Sequence, residues 1–384
     1  MWNKKNGTSA GGLLKRIIAI VLIVFVICGI VAMILFPDAL NVDAIRRWVR
    51  YLNVRSSGAE GIFSFDSHNS NRYANFDGGL AVASVGGLNT YEQDGREAIV
   101  SQGQLALPAI DAGGDLVMAY DVGGSSLLAV HRRNGEVLRI TSEKAILDAD
   151  ISDGGDICYM SSAAGYKSVL TVYNDRQELT YRWLSSSTYM PLCTVAENGM
   201  QLAAVGLDQK DSSFESTLNL FRTRYDQIEK TVSLGNELIY DLEYLDEDLI
   251  CAVGESSVQY LSSAGEPIGT YSYGDQFLKD YDMGGDGFLV LSLNMYRAGN
   301  RYTLVTVDAS GQEIASVYLG QEILDLSACE KYIAVLTSDG LTVYNRLLEV
   351  YAETEDVGAA TSVLAREDGS VLLLGAGMGN LYVP

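Results

Sequence analysis

The stretch GGDGFLVLSLNMYRAGNRYTLVTVDASGQEIASV, residues 284–317, contains every element needed to read the fold. A Gly/Asp turn opens it. FLVLSL (288–293) is an unbroken apolar run, and YTLVTVD (302–308) is a second one that ends on Asp. Ser310-Gly311 then supplies hairpin chemistry before a more polar outer strand. Apolar runs this short and this continuous fit strands buried on both faces, as in sheets packed face to face.

Working outward, the same unit of roughly 40 residues recurs from Asn71 to the end of the chain. Its first turn reappears as Asp77-Gly78-Gly79, Asp111-Ala112-Gly113-Gly114, Asp153-Gly154-Gly155-Asp156, Glu197-Asn198-Gly199, Asp246-Glu247-Asp248, Gly284-Gly285-Asp286-Gly287, Glu330-Lys331 and Glu367-Asp368-Gly369. The apolar second strands recur as LAVASV (80–85), DLVMAY (115–120), LICAVG (249–254), YIAVLT (332–337) and SVLLLG (370–375). Residues 61–384 therefore read as an all-β domain, a β-propeller of eight blades, with seven the alternative count. The last unit stops after three strands, and GIFSF (61–65) is an orphan strand before the first repeat. Together they predict a composite closing blade that removes the free sheet edges.

Ahead of the propeller, Ile17 to Phe36 is a run of twenty residues without a charge, about 30 Å of helix, which predicts one transmembrane helix at 17–36. Phe36-Pro37-Asp38 follows it in place of a small-residue cleavage site, which argues against a signal peptide. Lys15 and Arg16 abut the span, so residues 1–16 read as a basic cytoplasmic tail, with the propeller on the extracytoplasmic side of the cell membrane. Within 37–60, NVDAIRRWVRYLN (41–53) has an amphipathic helical pattern. It is either an interfacial helix, with Arg46, Arg47, Trp48 and Arg50 at the lipid headgroups, or a helix docked under the propeller.

The net charge of −22 is unevenly placed. Residues 1–36 carry four cations and no acid, leaving 23 basic against 49 acidic residues beyond them. Such a domain repels phosphate backbones, so no nucleic-acid partner is expected. Cys158, Cys193, Cys251 and Cys329 lack paired metal-type spacing and read as buried free thiols, with no structural disulfide. The only histidines, His68 and His131, sit where turns are expected and do not suggest His-based metal or nucleophile chemistry. Asp148, Asp150, Asp153 and Asp156 form an acidic cluster, but Ser152 breaks the calcium-loop pattern, and the cluster reads as an ordinary turn. No cofactor, metal or catalytic residue is assigned.

The outer turns in YEQDGREAIV (91–100), HRRNGEVLRI (131–140) and DASGQEIASV (308–317) resemble those of quinoprotein-type and WD40-like propellers. Trp183 is the one tryptophan within the repeats, whereas the enzyme-type repeats use a recurrent docking tryptophan, so the likeness to that class is architectural. The basic N-terminus, single span, Arg/Trp helix, FSFDS and repeats together resemble a bacterial membrane-anchored family, domain of unknown function 5711. That resemblance implies location and fold, and no activity.

Loop length is the remaining irregularity. Ser161 to Lys167, Asp208 to Ser216 and Asn294 to Arg301 read as long connections between second and third strands, carrying Tyr166, Lys167, Lys210, Phe214, Tyr296, Arg297 and Arg301. Aromatic and Arg anchors are enriched at protein interfaces. The expectation is a non-enzymatic interaction or scaffold module of the cell envelope, anchored in the bilayer through 17–36 and docking an envelope protein. The alternative is a glycan or small-molecule receptor, or an envelope enzyme, using the channel. Converging carboxylates in a closed pocket would favour the channel, and an open apolar and basic loop face would favour docking.

Overall fold

The computed structural model describes Arg47, Tyr51 and residues 62–210, 213–375 and 377–384. Arg47 and Tyr51 have helical backbone. The expected span 17–36, the rest of 37–60, and Lys15, Arg16, Arg46, Trp48 and Arg50 lie outside the described residues. Among the described residues no helix is long and apolar enough to cross a membrane.

The strands form eight four-stranded antiparallel sheets, which settles the blade count. Blade 1 runs Arg72–Phe76, Gly79–Ser84, Gly87–Tyr91, Glu97–Gln102, in chain order across the sheet. Blades 2 to 7 repeat that order from first strands Pro108–Gly113, Ile146–Ile151, Tyr189–Val195, Ile239–Asp246, Phe277–Gly285 and Ile323–Cys329. First strands of successive blades lie against one another and form the inner ring. This topology puts the turns after first and third strands on one side, the turn face. Second-to-third connections and the blade-to-blade links lie on the other, the loop face.

Blade 8 is composite, as the orphan strand predicted. Its order is Phe63–Ser64, Met378–Tyr382, Val371–Gly375, Ser362–Ala365, so the N-terminal strand supplies the outer edge. Phe63 is 1% exposed. It packs with Leu80, Val82 and Tyr91 of blade 1 and Leu372 and Leu374 of blade 8, meeting the Tyr91 ring edge-on at 6.3 Å.

The apolar second strands do face both ways. On Leu116–Asp121, Val117 and Ala119 pack with Ala81 and Ala83 of blade 1, while Leu116, Met118 and Tyr120 pack with Ile146, Ala149 and Ile157 of blade 3. On Leu249–Gly254, Ile250 and Ala252 turn to blade 4 and Cys251 and Val253 to blade 6. Each apolar cluster joins two neighbouring blades, so a single blade has no core of its own.

The recurrent turn glycines serve close approach between blades. A Cβ on Gly113 would stand 2.4 Å from the Ser152 carbonyl oxygen, and one on Gly154 would stand 2.2 Å from that of Glu197. Backbone meets backbone there, and only Gly leaves the room.

Because Phe63 is the plug of the closing strand, Phe63→Ala should cost about 3–5 kcal/mol of stability, read from denaturant unfolding of the full chain. A loss under about 1 kcal/mol would mean that the N-terminal strand does not hold the ring closed.

Candidate functional site

The inner strands carry the polar chemistry of the molecule. An inner strand has one edge paired to its own second strand and one edge facing the channel, where alternate N–H groups lack strand partners. In blades 3, 4, 5, 7 and 8 the preceding blade supplies acceptors for them. The Asp111 carboxylate accepts the Ile151 N–H at 3.0 Å, Asp148 the Cys193 N–H at 2.8 Å, Asp150 the Val195 N–H at 2.8 Å and Asp325 the Val363 N–H at 2.7 Å. Asp280 accepts from the Leu326 N–H and Asp282 from that of Ala328.

Hydroxyls extend the same series. Thr194 Oγ1 accepts the Tyr244 N–H at 3.1 Å and donates to Asp150 at 2.8 Å, linking blades 3, 4 and 5. Ser327 Oγ accepts the Ala365 N–H at 3.2 Å and donates to Asp282, linking blades 6, 7 and 8 in the same way. Tyr120 donates to Asp148 at 3.1 Å, and Tyr281 to Asp241 at 3.0 Å.

Packing so many carboxyls into one ring raises their pKa values. Burial, reinforced by the Asp241 charge, holds Asp148 at about 7 against the pull of the Cys193 N–H. Burial, with the charges of Asp241 and Asp111, lifts Glu243 to about 8. Burial and the Asp325 charge bring Asp280 to about 7, and burial brings Asp325 to about 6. Asp111 and Asp150 hydrogen-bond to each other, and burial raises both, reinforced at Asp150 by the Asp111 charge. One proton shared between them removes that repulsion.

Asp111, Asp148, Asp150, Asp241 and Glu243 border a cavity of 370 Å³. Ser152, Asp153, Glu197 and Asp246 continue its wall, so it reaches the turn face. Among the described residues no three His, Cys, Asp or Glu side chains are placed to hold a metal ion.

The sequence reading of Asp148 and Asp150 as part of a turn is corrected. Both lie on the inner strand Ile146–Ile151, and only Asp153 and Asp156 belong to the turn. The signal was present as an Asp two residues before a second polar group in LDAD (147–150), YDLE (240–243), KDYD (279–282) and LDLS (324–327). His68 and His131 brace turns, their Nδ1 atoms accepting the backbone N–H groups of Ser70 and Arg133. Cys158, Cys193 and Cys251 are buried free thiols and Cys329 is partly buried. Cys158 and Cys193 lie with their sulfurs 3.6 Å apart across blades 3 and 4, a proximity that their separation in sequence did not reveal.

All seven loop candidates fall on the loop face, in blades 3, 4 and 6, but two of the three expected loops are hairpins. Tyr166 and Lys167 begin the strand Tyr166–Tyr173 after a tight turn from Ile157–Ala163. In blade 4, Gln201–Lys210 pairs with Ser213–Arg222 out to the Lys210 and Ser213 pair. The neighbouring strands stop at Leu207 and Ser216, so the rest of that hairpin, with Phe214, projects past the blade. Asn294–Arg301 does contain a loop. There Arg297 lies 5.2 Å over the Phe277 ring, Arg301 lies 5.8 Å over Tyr296, and Lys279 Nζ donates to the Arg297 carbonyl at 2.6 Å.

Tyr166, Phe214 and Tyr296 are 43%, 51% and 49% exposed. Sequence reasoning missed their company, since Val85, Leu107, Tyr189, Tyr240, Met295, Leu324 and Met378 are also exposed on the loop face. Each expected discriminating feature is thus present in part: the loop face exposes apolar side chains with Lys167, Arg297 and Arg301 set among acids such as Glu143, Glu255, Glu322 and Asp339, and a carboxyl-lined cavity reaches the turn face.

The profile of a family of unknown function, DUF5711, matches residues 55–349. The crystal structure of the C-terminal WD40 domain of Sif2 superposes with a TM-score of 0.58 at 11% identity, covering 85% of this chain and 98% of that one. The RRP9 WD40 repeats give 0.48 at 9% identity, covering 72% and 88%, and U3-55K gives 0.49 at 10%, covering 72% and 90%. At these identities the likeness is one of fold. No curated protein matches.

The raised carboxyls fix the sign of the pH dependence. In the unfolded chain they titrate near pH 4, whereas the folded ring keeps protons up to about pH 7 at Asp148 and Asp280 and about pH 8 at Glu243. The native state binds more protons across that window, so stability present at pH 5 is lost as the pH rises toward 8.5. The Tm should fall over that range, and Asp148→Asn, which keeps an acceptor for Cys193, should flatten the fall and raise the Tm at pH 8.5. A Tm that rises from pH 5 to 8.5 would contradict the ring's protonation.

Proposed function

The chain belongs to DUF5711, a family of unknown function, and we propose that it serves as a non-catalytic docking module whose loop face binds a protein partner. The observation that carries this reading is the concentration of exposed apolar side chains on that face. Ten such residues lie at the loop-face ends of the blades: Val85, Leu107, Tyr166, Tyr189, Phe214, Tyr240, Met295, Tyr296, Leu324 and Met378. The turn-face ends of the blades expose fewer, Leu179, Met200, Tyr225, Ile268, Leu347, Val350 and Val383, amid many carboxylates. Clustered exposed apolar surface marks interaction sites. Tyr and Arg are the side chains that most often anchor such sites.

Two details narrow the character of the partner, the first favouring acidic groups near its contact region and the second a concave surface. Lys167, Arg297 and Arg301 are exposed on this face, and the stacking of Arg297 on Phe277 and Arg301 on Tyr296 holds both guanidinium planes in place. The projecting blade 4 hairpin offers Phe214 clear of its own blade, as an insertion into a concave partner requires.

Residues 17–36 supply the membrane anchor in this reading, and Lys15 and Arg16 keep the N-terminus in the cytoplasm, so the partner is a protein of the cell envelope.

Site-specific photo-crosslinking in native membranes from Phe214 and Tyr296, with Tyr225 on the turn face as control, tests the reading. A discrete protein adduct from both loop-face positions and none from Tyr225 is the expected result. Adducts from Tyr225 alone, or from no position, would overturn it.

A further inference from the structure

We propose that Cys158 and Cys193 join as a disulfide that clamps blade 3 to blade 4, formed by exchange with an organic disulfide. Cys158 lies on the second strand of blade 3, paired across from Asp150. Cys193 lies on the inner strand of blade 4, where Asp148 caps its N–H. In this structure both are buried free thiols, and the Cys158 thiol donates to the Cys193 sulfur at 3.6 Å. A disulfide needs the sulfurs at about 2.05 Å, and small rotations of the two side chains supply that movement while the strands stay in place.

Other junctions fill the same place with apolar side chains. The corresponding positions hold Met118 and Ala149 between blades 2 and 3, Val290 and Leu326 between blades 6 and 7, and Ala334 and Val363 between blades 7 and 8. Each pair belongs to the apolar cluster that joins its two blades. Packing alone is therefore met at this position without sulfur. What two thiols in contact add is the capacity to cross-link.

The exchange runs in two steps. One cysteine, as thiolate, attacks a sulfur of the organic disulfide and releases one thiol, and the second cysteine then attacks the first and releases the other. Two electrons pass from the cysteine sulfurs to the organic disulfide, and the two cysteine protons end on the two thiols it yields. Burial sets the timing of these steps. It pushes the Cys158 thiol up to about 11 and raises the Cys193 thiol well above its ordinary value, so thiolate is scarce in the closed ring. The bond therefore forms as blades 3 and 4 dock, or when their seam opens, and is shielded from reductants afterwards. It is a clamp between residues 35 apart in the chain, and it restricts the unfolded state accordingly. Nothing in it requires a bound partner, so it stands or falls apart from the docking reading.

The full-length chain in detergent, incubated with reduced and oxidised glutathione in urea below its unfolding midpoint, then blocked with N-ethylmaleimide and digested, tests this by mass spectrometry. The expected product is one linked pair of peptides, joining Cys158 to Cys193, with Cys28, Cys251 and Cys329 alkylated. The oxidised chain should melt at least about 3 °C above the reduced chain. Cys193→Ala, which places there the side chain that blade 3 carries as Ala149, should abolish that difference. Recovery of Cys158 and Cys193 as alkylated residues, or of either linked elsewhere, would overturn the proposal. An oxidised chain that melts no higher than the reduced one, or the same difference in Cys193→Ala, would also overturn it.

Discussion

The inner edge of each blade is the constraint on which the rest of this structure depends. A propeller ring leaves every first strand with one row of N–H groups facing the channel, and a buried donor without an acceptor costs about 1–3 kcal/mol. In blades 3, 4, 5, 7 and 8 this protein meets such donors with side chains of the preceding blade, chiefly aspartates. A carboxyl oxygen carries two lone pairs, so one Asp can serve two donors through a single oxygen while the other oxygen shares a proton, as Asp150 Oδ2 does for the Val195 N–H and the Thr194 hydroxyl.

That solution has electrostatic and structural consequences. Bringing acceptors from blades 2, 3, 4, 6 and 7 to the axis, together with Asp241 and Glu243 of blade 5, gathers negative charge in a narrow ring, and the molecule answers by keeping protons on part of it. The capping bonds also run from one blade to the next, in the same direction as the apolar clusters. Blade-to-blade cohesion therefore combines an apolar layer outside with a polar seam inside. The glycine turns complete it, because Gly113 and Gly154 let neighbouring turns approach as closely as the inner strands do.

Legibility in the sequence followed periodicity. The repeated turns and two-sided apolar runs identified the propeller, its eight units and the composite closure through Phe63, because each blade must solve the same packing problem. The carboxyl ring was less visible. Asp148 and Asp150 run directly into the Asp153–Asp156 turn, so composition merged strand and turn into one acidic cluster. The blade 4 hairpin was read as a loop because LDQKDSSFES is polar on both strand faces, as a hairpin projecting into solvent must be. Polar composition marks exposure, and exposure does not distinguish a loop from an unsupported pair of strands. The spread of apolar side chains across the loop face was invisible because those residues come from many blades and meet only in the folded ring.

Native-state amide hydrogen exchange tests the central claim most directly. The N–H groups of Ile151, Cys193, Val195 and Val363 lie on strand edges that face the channel, where a bare edge would exchange quickly. If side-chain capping holds the inner ring, these amides exchange as slowly as those of the second strands, with opening free energies close to global unfolding. Exchange at rates typical of an exposed edge strand would contradict the account.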